Sequence, residues 1–241
     1  MARPLSPAGP PNGELELTDD VPGAFADAVC RAFAERPGER FLLVLSGGPT
    51  ARRCYERLAA ETASGGAVDR RRVDWELVDV CMGDERCVPP DDADANQRLV
   101  REALLDRVGT VGSFWPMSCQ EGAGAYEQVV ASMPVPDVIH LGLGADAHTA
   151  SLFPGSDALE SPGDKLVVLS SDPQGRNPHD RMTLTLRAIA RARLVLFTVV
   201  GDEKAGALRA VCSGEDVPAA RVRAQRVRWL VDRTMLGVGR G

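Results

Sequence analysis

Apolar residues along the chain fall into two recurring patterns. One is a helical stripe: Val21, Phe25, Ala28, Val29, Ala32 and Phe33 recur at the spacing of one helix face, and Pro37-Gly38 closes the segment. The other is a short continuous run, first met as Phe41-Leu42-Leu43-Val44-Leu45, apolar at every position rather than at alternate ones. A strand that is apolar on both sides is covered on both sides, the condition of a parallel sheet flanked by helices. This run meets Ser46-Gly47-Gly48, and a second stripe, Ala51, Cys54, Tyr55, Leu58 and Ala59, follows it. The unit is strand, glycine turn, helix.

The unit recurs. Apolar runs at 73–80, 138–143, 166–169 and 194–200 predict further strands, with a last one at 227–231. Helices are predicted over 96–108, where Leu99, Val100, Ala103, Leu104 and Val108 are apolar, and from about Asp202 to Val211. Strands alternating with helices predict an α/β fold, with a mostly parallel sheet covered on both sides. No repeat or low-complexity linker divides the 241 residues, so a single α/β domain is expected over 14–241. The Pro-rich stretch 1–13 reads as a flexible tail. In such sheets ligands bind beyond the carboxyl ends of the strands. Segments 46–50, 83–86, 142–148 and 201–204 each follow a strand, so they are expected to meet at one rim.

Charge and composition narrow the partners. The formal net charge of −6 argues against nucleic acid or an anionic membrane, because phosphate backbones select a basic face. A small anion, held by a local cluster of Arg and Lys, remains open. The six cysteines, at 30, 54, 81, 87, 119 and 212, form no C-x-x-C pair and lie far from the histidines. They read as reduced thiols of a cytoplasmic protein, with no structural zinc or other metal. Residues 1–13 have no apolar h-region, and no run approaches the ~18 apolar residues of a membrane span.

Four constellations carry candidate chemistry. Ser46-Gly47-Gly48-Pro49-Thr50 opens a helix, where glycines let backbone N–H groups approach a phosphate. It lacks the G-K-[ST] ending of a Walker loop, and Pro49 removes one N–H, although proline suits a first helical position. Gly83-Asp84-Glu85-Arg86 sets two acids and a guanidinium after a strand, either a surface ion pair or part of a site. Arg181 and Lys204 are ordinary surface charges if taken singly, but together at one rim they would hold a phosphate dianion.

The fourth is GLGADAHTASLFPG, residues 142–155. Gly142, Gly144 and Ala147 fit the G-x-G-x-x-G/A fingerprint of a dinucleotide loop. That loop needs a helix directly behind it, whereas Pro154-Gly155 stops any helix within about two turns, and Asp146 would repel a pyrophosphate. The better reading is acid–base chemistry, with Asp146 orienting His148 as the base. Ser151 sits in no G-x-S-x-G elbow, so capping or packing suits it better than a nucleophile's role.

LSGGPT, GDERCVPPDDADAN, GLGADAHTASLFPG, RMTLTL and GDEKAGAL occur in the order found in 6-phosphogluconolactonases, and the resemblance runs from about residue 20 to Asp232. HTASLFPG is its most specific piece. The related glucosamine-6-phosphate deaminases share the glycine loop and the D-x-H but resemble HIAFNEPG thereafter, and that Asn-Glu pair is missing here. The resemblance implies a three-layer α/β sandwich of the type shared by those deaminases and ribose-5-phosphate isomerase. It implies a cofactor-free hydrolase of 6-phospho-D-glucono-1,5-lactone, acting in the second step of the oxidative pentose phosphate pathway, as a monomer or small homo-oligomer. By the same resemblance His148 is the base, with Asp146 and Asp84 beside it. Ser46, Gly47, Gly48, Thr50, Arg181 and Lys204 match positions associated with the phosphate, and Asp84 and Arg86 line the sugar site. A sugar-phosphate isomerase or deaminase on the same scaffold is the alternative, and it would need a carboxylate, Asp84 or Glu85, to shuttle protons at C1–C2. Three departures stand out: Pro49-Thr50-Ala51 where the family has S-T-P, Ala147 where it has glycine in D-G-H, and Ala95 where it often has serine before Asn96.

Overall fold

In the computed structural model, the residues described are 9–62, 73–161 and 163–236. Seven strands form one sheet: β1 (Glu14–Thr18), β2 (Phe41–Leu45), β3 (Val78–Met82), β5 (Ser113–Trp115), β6 (Val138–Gly142), β9 (Leu194–Val199) and β10 (Arg226–Asp232). Their order is β1-β10-β9-β6-β2-β3-β5, and every neighbouring pair is parallel. β2 and β9 are buried at every position, so both sheet faces are covered, as their unbroken apolar runs require. The α/β architecture predicted from the alternating runs is the one observed.

The helices follow the same logic. α1 (Val21–Ala34) starts at Asp20, whose Oδ1 accepts the Gly23 N–H at 3.0 Å, with Pro22 in its first turn. It buries Phe25, Val29 and Phe33 against the sheet and packs on α2 (Pro49–Thr62), which buries Cys54, Tyr55 and Leu58. The helical stretch predicted over 96–108 is present but not uniform: α3 (Asn96–Val100) passes through a π-helical turn (Arg101–Leu105) into α4 (Asp106–Val108). The remaining helices are α5 (Ala123–Ser132), α6 (Leu186–Ala190), α7 (Ala205–Cys212) and α8 (Pro218–Arg221).

Three departures from the sequence reading have physical reasons. The run at 73–80 begins as a 3-10 turn (Trp75–Leu77) capped by Asp74, and the strand starts only at Val78. The run at 166–169 is not part of the main sheet. It is β7 (Val167–Ser170), which joins β8 (Arg181–Leu184) and β4 (Asp84–Arg86) in a separate antiparallel sheet of order β4-β8-β7. Antiparallel strands can leave one face wet, and Leu169 on β7 is 58% exposed. Of the stretch expected as a tail, residues 1–8 lie outside the described residues. Asn12 is tied down, its Nδ2 donating to the carbonyls of Ala219 and Val222.

A further departure corrects the reading of all six cysteines as reduced thiols. Cys87 and Cys119 form a disulfide, with Cα atoms 5.3 Å apart and a sequence separation of 32. Spacing rules find local pairs, whereas this pair is assembled by the fold, which lays the residue after β4 against the loop preceding α5. Cys30, Cys54 and Cys81 are buried and stand outside the disulfide, as does the half-buried Cys212. No described helix is long and apolar enough to cross a membrane.

Alkylation of the denatured, unreduced protein should therefore label four of the six cysteines, rising to all six after reduction. Closing a loop of this length should stabilise the fold by about 2–4 kcal/mol. The Cys87→Ser variant is expected to lose that amount in denaturant titrations. Six labelled cysteines before reduction would remove the disulfide from the native protein.

Candidate active site

The rim expected from the sequence exists. A cavity of about 300 Å³ opens at the carboxyl ends of β2, β6 and β9. It is lined by Ser46, Gly47, Gly48, Pro49 and Thr50 after β2, by Asp84 and Arg86 of β4, and by Gly142, Gly144 and His148 after β6. Arg181 of β8 and Lys204, at the end of the 3-10 turn leading into α7, complete the set expected to converge. Asn96, His140, Ala150, Asn177 and Thr198 line it too and were not foreseen as site residues. Of these, His140 carried a signal, as the one polar residue inside the apolar run 138–141. Asn177 comes from a loop with no local motif. Asp146 stands behind His148 rather than in the wall.

Part of the lining is a glycine loop at the start of a helix. Gly48 has φ +108 with open space around it, and α2 begins directly behind it at Pro49. Gly47 has no room for a side chain, since a Cβ there would fall 1.7 Å from Asn96 Oδ1. The loop rests on a buried polar cluster. Tyr55 Oη accepts the Ser46 N–H at 3.1 Å and donates to the Ser46 carbonyl at 2.8 Å. It also meets His140 Nδ1 at 2.8 Å, while His140 Nε2 meets Thr198 Oγ1 at 2.8 Å. A hydroxyl has one hydrogen, so when Tyr55 gives it to Ser46, His140 Nδ1–H donates to Oη and the Thr198 hydroxyl donates to Nε2. Burial pushes His140 down to about 3, which keeps it neutral in this role. Arg181 is 7% exposed, with Nε unpartnered, and burial followed by the neighbouring Arg86 lowers its pKa, although it remains a cation.

The same lining carries a histidine held by a carboxylate. Asp146 Oδ1 accepts from His148 Nδ1 at 2.5 Å and from the His148 N–H at 3.2 Å. Burial would raise the Asp146 carboxyl, but the hydrogen bond and charge of His148, aided by Arg176, outweigh it and hold it down at about 2. With Nδ1–H given to this carboxylate, the neutral imidazole keeps its lone pair on Nε2. The turn is tight: Gly144 N donates to the His148 carbonyl at 2.8 Å, and Ala147 N donates to the Gly144 carbonyl at 3.0 Å. A Cβ on Gly144 would sit 2.1 Å from the His148 ring. Ala147 takes φ +64, so its departure from glycine costs about 1–2 kcal/mol of backbone strain. No helix follows; residues after Gly144 form successive turns with a bridge between Thr149 and Leu152. A pyrophosphate loop has nothing to anchor it here.

The remaining acids divide. Asp84 is buried, with Oδ2 accepting from Ser151 Oγ at 2.8 Å and Oδ1 left without a protein partner at the cavity. Ser151 thus orients Asp84. Glu85 faces away from the cavity: its oxygens accept the N–H groups of Arg86, Asn96 and Gln97, each at 2.7 Å. From β4 it caps α3, whose own N-cap residue, Ala95, makes no side-chain cap bond. Burial pushes it up to about 6 against those three bonds. Among the described residues, no three His, Cys, Asp or Glu side chains converge to hold a metal ion.

The chain and its fold have counterparts. Residues 14–231 match the family model described as glucosamine-6-phosphate isomerases/6-phosphogluconolactonase. The chain belongs to this family. It is 35% identical over 223 residues to the 6-phosphogluconolactonase of Synechocystis sp., covering 85% of this chain and 86% of that protein. The crystal structure of 6-phosphogluconolactonase from Thermotoga maritima superposes with a TM-score of 0.76 at 27% identity, covering 91% of this chain and 99% of that one. A monomeric glucosamine-6-phosphate deaminase gives 0.75 at 18% identity, over 95% and 100% of the two chains, which shows that the two share a fold.

The buried His140 has a measurable consequence. Below about pH 6.5 the unfolded chain takes up a proton that folded His140 refuses until about pH 3, so stability falls on acidification through that window. The slope from this group is about 1.4 kcal/mol per pH unit. Glu85 acts in the opposite sense between about 6 and its usual 4.5, because the folded form binds its proton first. The clean readout is the difference between wild type and His140→Gln in urea titrations from pH 7 to 5. The variant should be less stable at pH 7 and show the weaker pH dependence. Equal slopes would mean that His140 is protonated when folded.

Proposed function

We propose that the chain hydrolyses 6-phospho-D-glucono-1,5-lactone to 6-phospho-D-gluconate, with water activated by His148. One observation carries this reading: a histidine held by a carboxylate opens on the same 300 Å³ cavity as a glycine loop, Arg181 and Lys204. The cationic side suits a phosphate dianion, and the histidine side suits a base acting at the far end of a six-carbon sugar.

A δ-lactone is an activated ester, so its hydrolysis needs no covalent intermediate. His148 Nε2 takes a proton from water as the oxygen attacks C1. Negative charge then grows on the former carbonyl oxygen, where a backbone N–H or a nearby cation such as Arg86 stabilises it. The imidazolium returns its proton to the ring oxygen as the C1–O5 bond breaks, and Asp146 stabilises the imidazolium between these steps. The unpartnered Oδ1 of Asp84 supplies an acceptor for a sugar hydroxyl. The isomerase or deaminase alternative loses one of its two candidate carboxylates, since both Glu85 oxygens are committed to backbone N–H groups.

The two sides of the cavity should separate kinetically. His148→Asn keeps the size of the side chain but removes the base, so kcat should fall about 10²–10⁴-fold with little change in affinity for 6-phosphogluconate. Arg181→Ala or Lys204→Ala should instead chiefly raise KM, about tenfold or more per contact. Turnover is followed as acid release from freshly prepared lactone above the uncatalysed background. An Asn variant retaining a third of wild-type turnover would make His148 structural. Equal affinity for phosphorylated and unphosphorylated lactone would dissolve the phosphate site.

A further inference from the structure

Behind the histidine, Asp146 uses both of its oxygens. Oδ1 holds His148, and Oδ2 accepts from Arg176 Nη2 at 2.8 Å. Arg176 lies 30 residues further on, in the turn between β7 and β8, and belongs to none of the motifs read from the sequence. That turn is built around a single carboxylate. Asp172, its side chain fully buried at 0% exposure, accepts the N–H groups of Gln174 at 2.9 Å, Arg176 at 3.1 Å and Asn177 at 3.1 Å. It also accepts from Asn177 Nδ2 at 2.8 Å, and Gly175 supplies the positive φ of +64 that the turn requires. So constrained, the turn presents Arg176 to Asp146 and Asn177 to the cavity wall.

We propose that Arg176 is a positioning residue for the His148 base, clamping the Asp146 carboxylate in its aim at Nδ1 and balancing its charge. The proposal rests on His148 being the base. Two physical effects support it. The terminal torsion of an aspartate is broad, so a carboxylate bonded on one side swings easily, and a second charge-assisted bond removes that freedom. An imidazole beside an unbalanced carboxylate is also favoured as imidazolium, the form that cannot take a proton from water. A guanidinium on the far oxygen tempers that preference, only in part because Arg176 is 45% exposed and screened by solvent.

The other charged groups facing the pair belong to other positions and are not altered by a change at Arg176. Asp84, Arg86, Arg181 and Lys204 share the cavity, and Asp172 lies 3.8 Å from Arg176 Nε. On its remaining side His148 meets the uncharged ring of Phe153, with centroids 4.9 Å apart.

The test compares wild type, Arg176→Gln, Arg176→Lys and His148→Asn on the phosphorylated lactone across pH. The Gln variant should lose about three- to thirtyfold in kcat with KM within twofold. The acid limb of its kcat profile should move to higher pH by a few tenths of a unit. The Lys variant should recover part of both effects, and all variants should melt cooperatively. A Gln variant with wild-type kcat and an unmoved acid limb, beside an inactive His148→Asn, overturns the role of Arg176 alone. So does one whose only change is in KM or melting temperature. A fully active His148→Asn overturns the base assignment and this proposal with it.

Discussion

The contact between Tyr55 Oη and His140 Nδ1, 2.8 Å long and fully buried, marks the place where this fold changes character. Below it β2 is apolar and buried at every position, and β9 is buried throughout, so an unmet hydrogen bond there would be costly. Above it the strands end and backbone N–H and C=O groups must find partners off the ladder. Tyr55, His140 and Thr198 meet that demand for the loop after β2 with side chains from α2, β6 and β9. The glycine loop is therefore held from three elements at once. Its shape follows from tertiary structure rather than from its own sequence.

That dependence explains what could be read from the chain. β2, β6 and β9 were legible because strands covered on both faces must be apolar throughout. The four post-strand segments were legible as a rim because parallel strands all end on the same side. β1 and β5 were not, since edge strands bury less, and Glu14 and Glu16 give β1 a polar alternation. The antiparallel sheet β4-β8-β7 was missed for a related reason. β4 is three residues of charged sequence, and its pairing with β8 across nearly a hundred positions leaves no local trace. Cys87 and Cys119 join because of where β4 ends, so their pairing was equally hidden.

Within the site, residues on motifs were found and residues that support them were not. Asp146 and His148 lie two apart and announce each other. Ser151 and Asp84 meet across 67 positions, and Arg176 and Asp146 across 30. Glu85 shows the converse error: its sequence company suggested a site acid, while its two oxygens serve as the cap that α3 lacks locally. A carboxylate's neighbours in sequence say what charge is nearby, whereas its role depends on which donors reach it first.

The departures at Pro49 and Ala147 bear on what the cavity offers and on how its turn is held. Pro49 offers no N–H at the start of α2, so the helix end facing the cavity has one donor fewer for an anion. The cavity lining also holds two cations, Arg181 and Lys204. Arg181 is buried, with an unpartnered Nε and the Phe153 ring 5.8 Å from its guanidinium. At Ala147 the chain accepts a left-handed backbone with a Cβ, a strain that persists only where surrounding contacts over-determine the turn. Those contacts are visible: the Ala147 carbonyl accepts from Ala219 N at 3.2 Å, and Asp146 is bonded on both sides. The same bonds that aim the imidazole at the cavity thus hold the turn in the conformation its sequence resists.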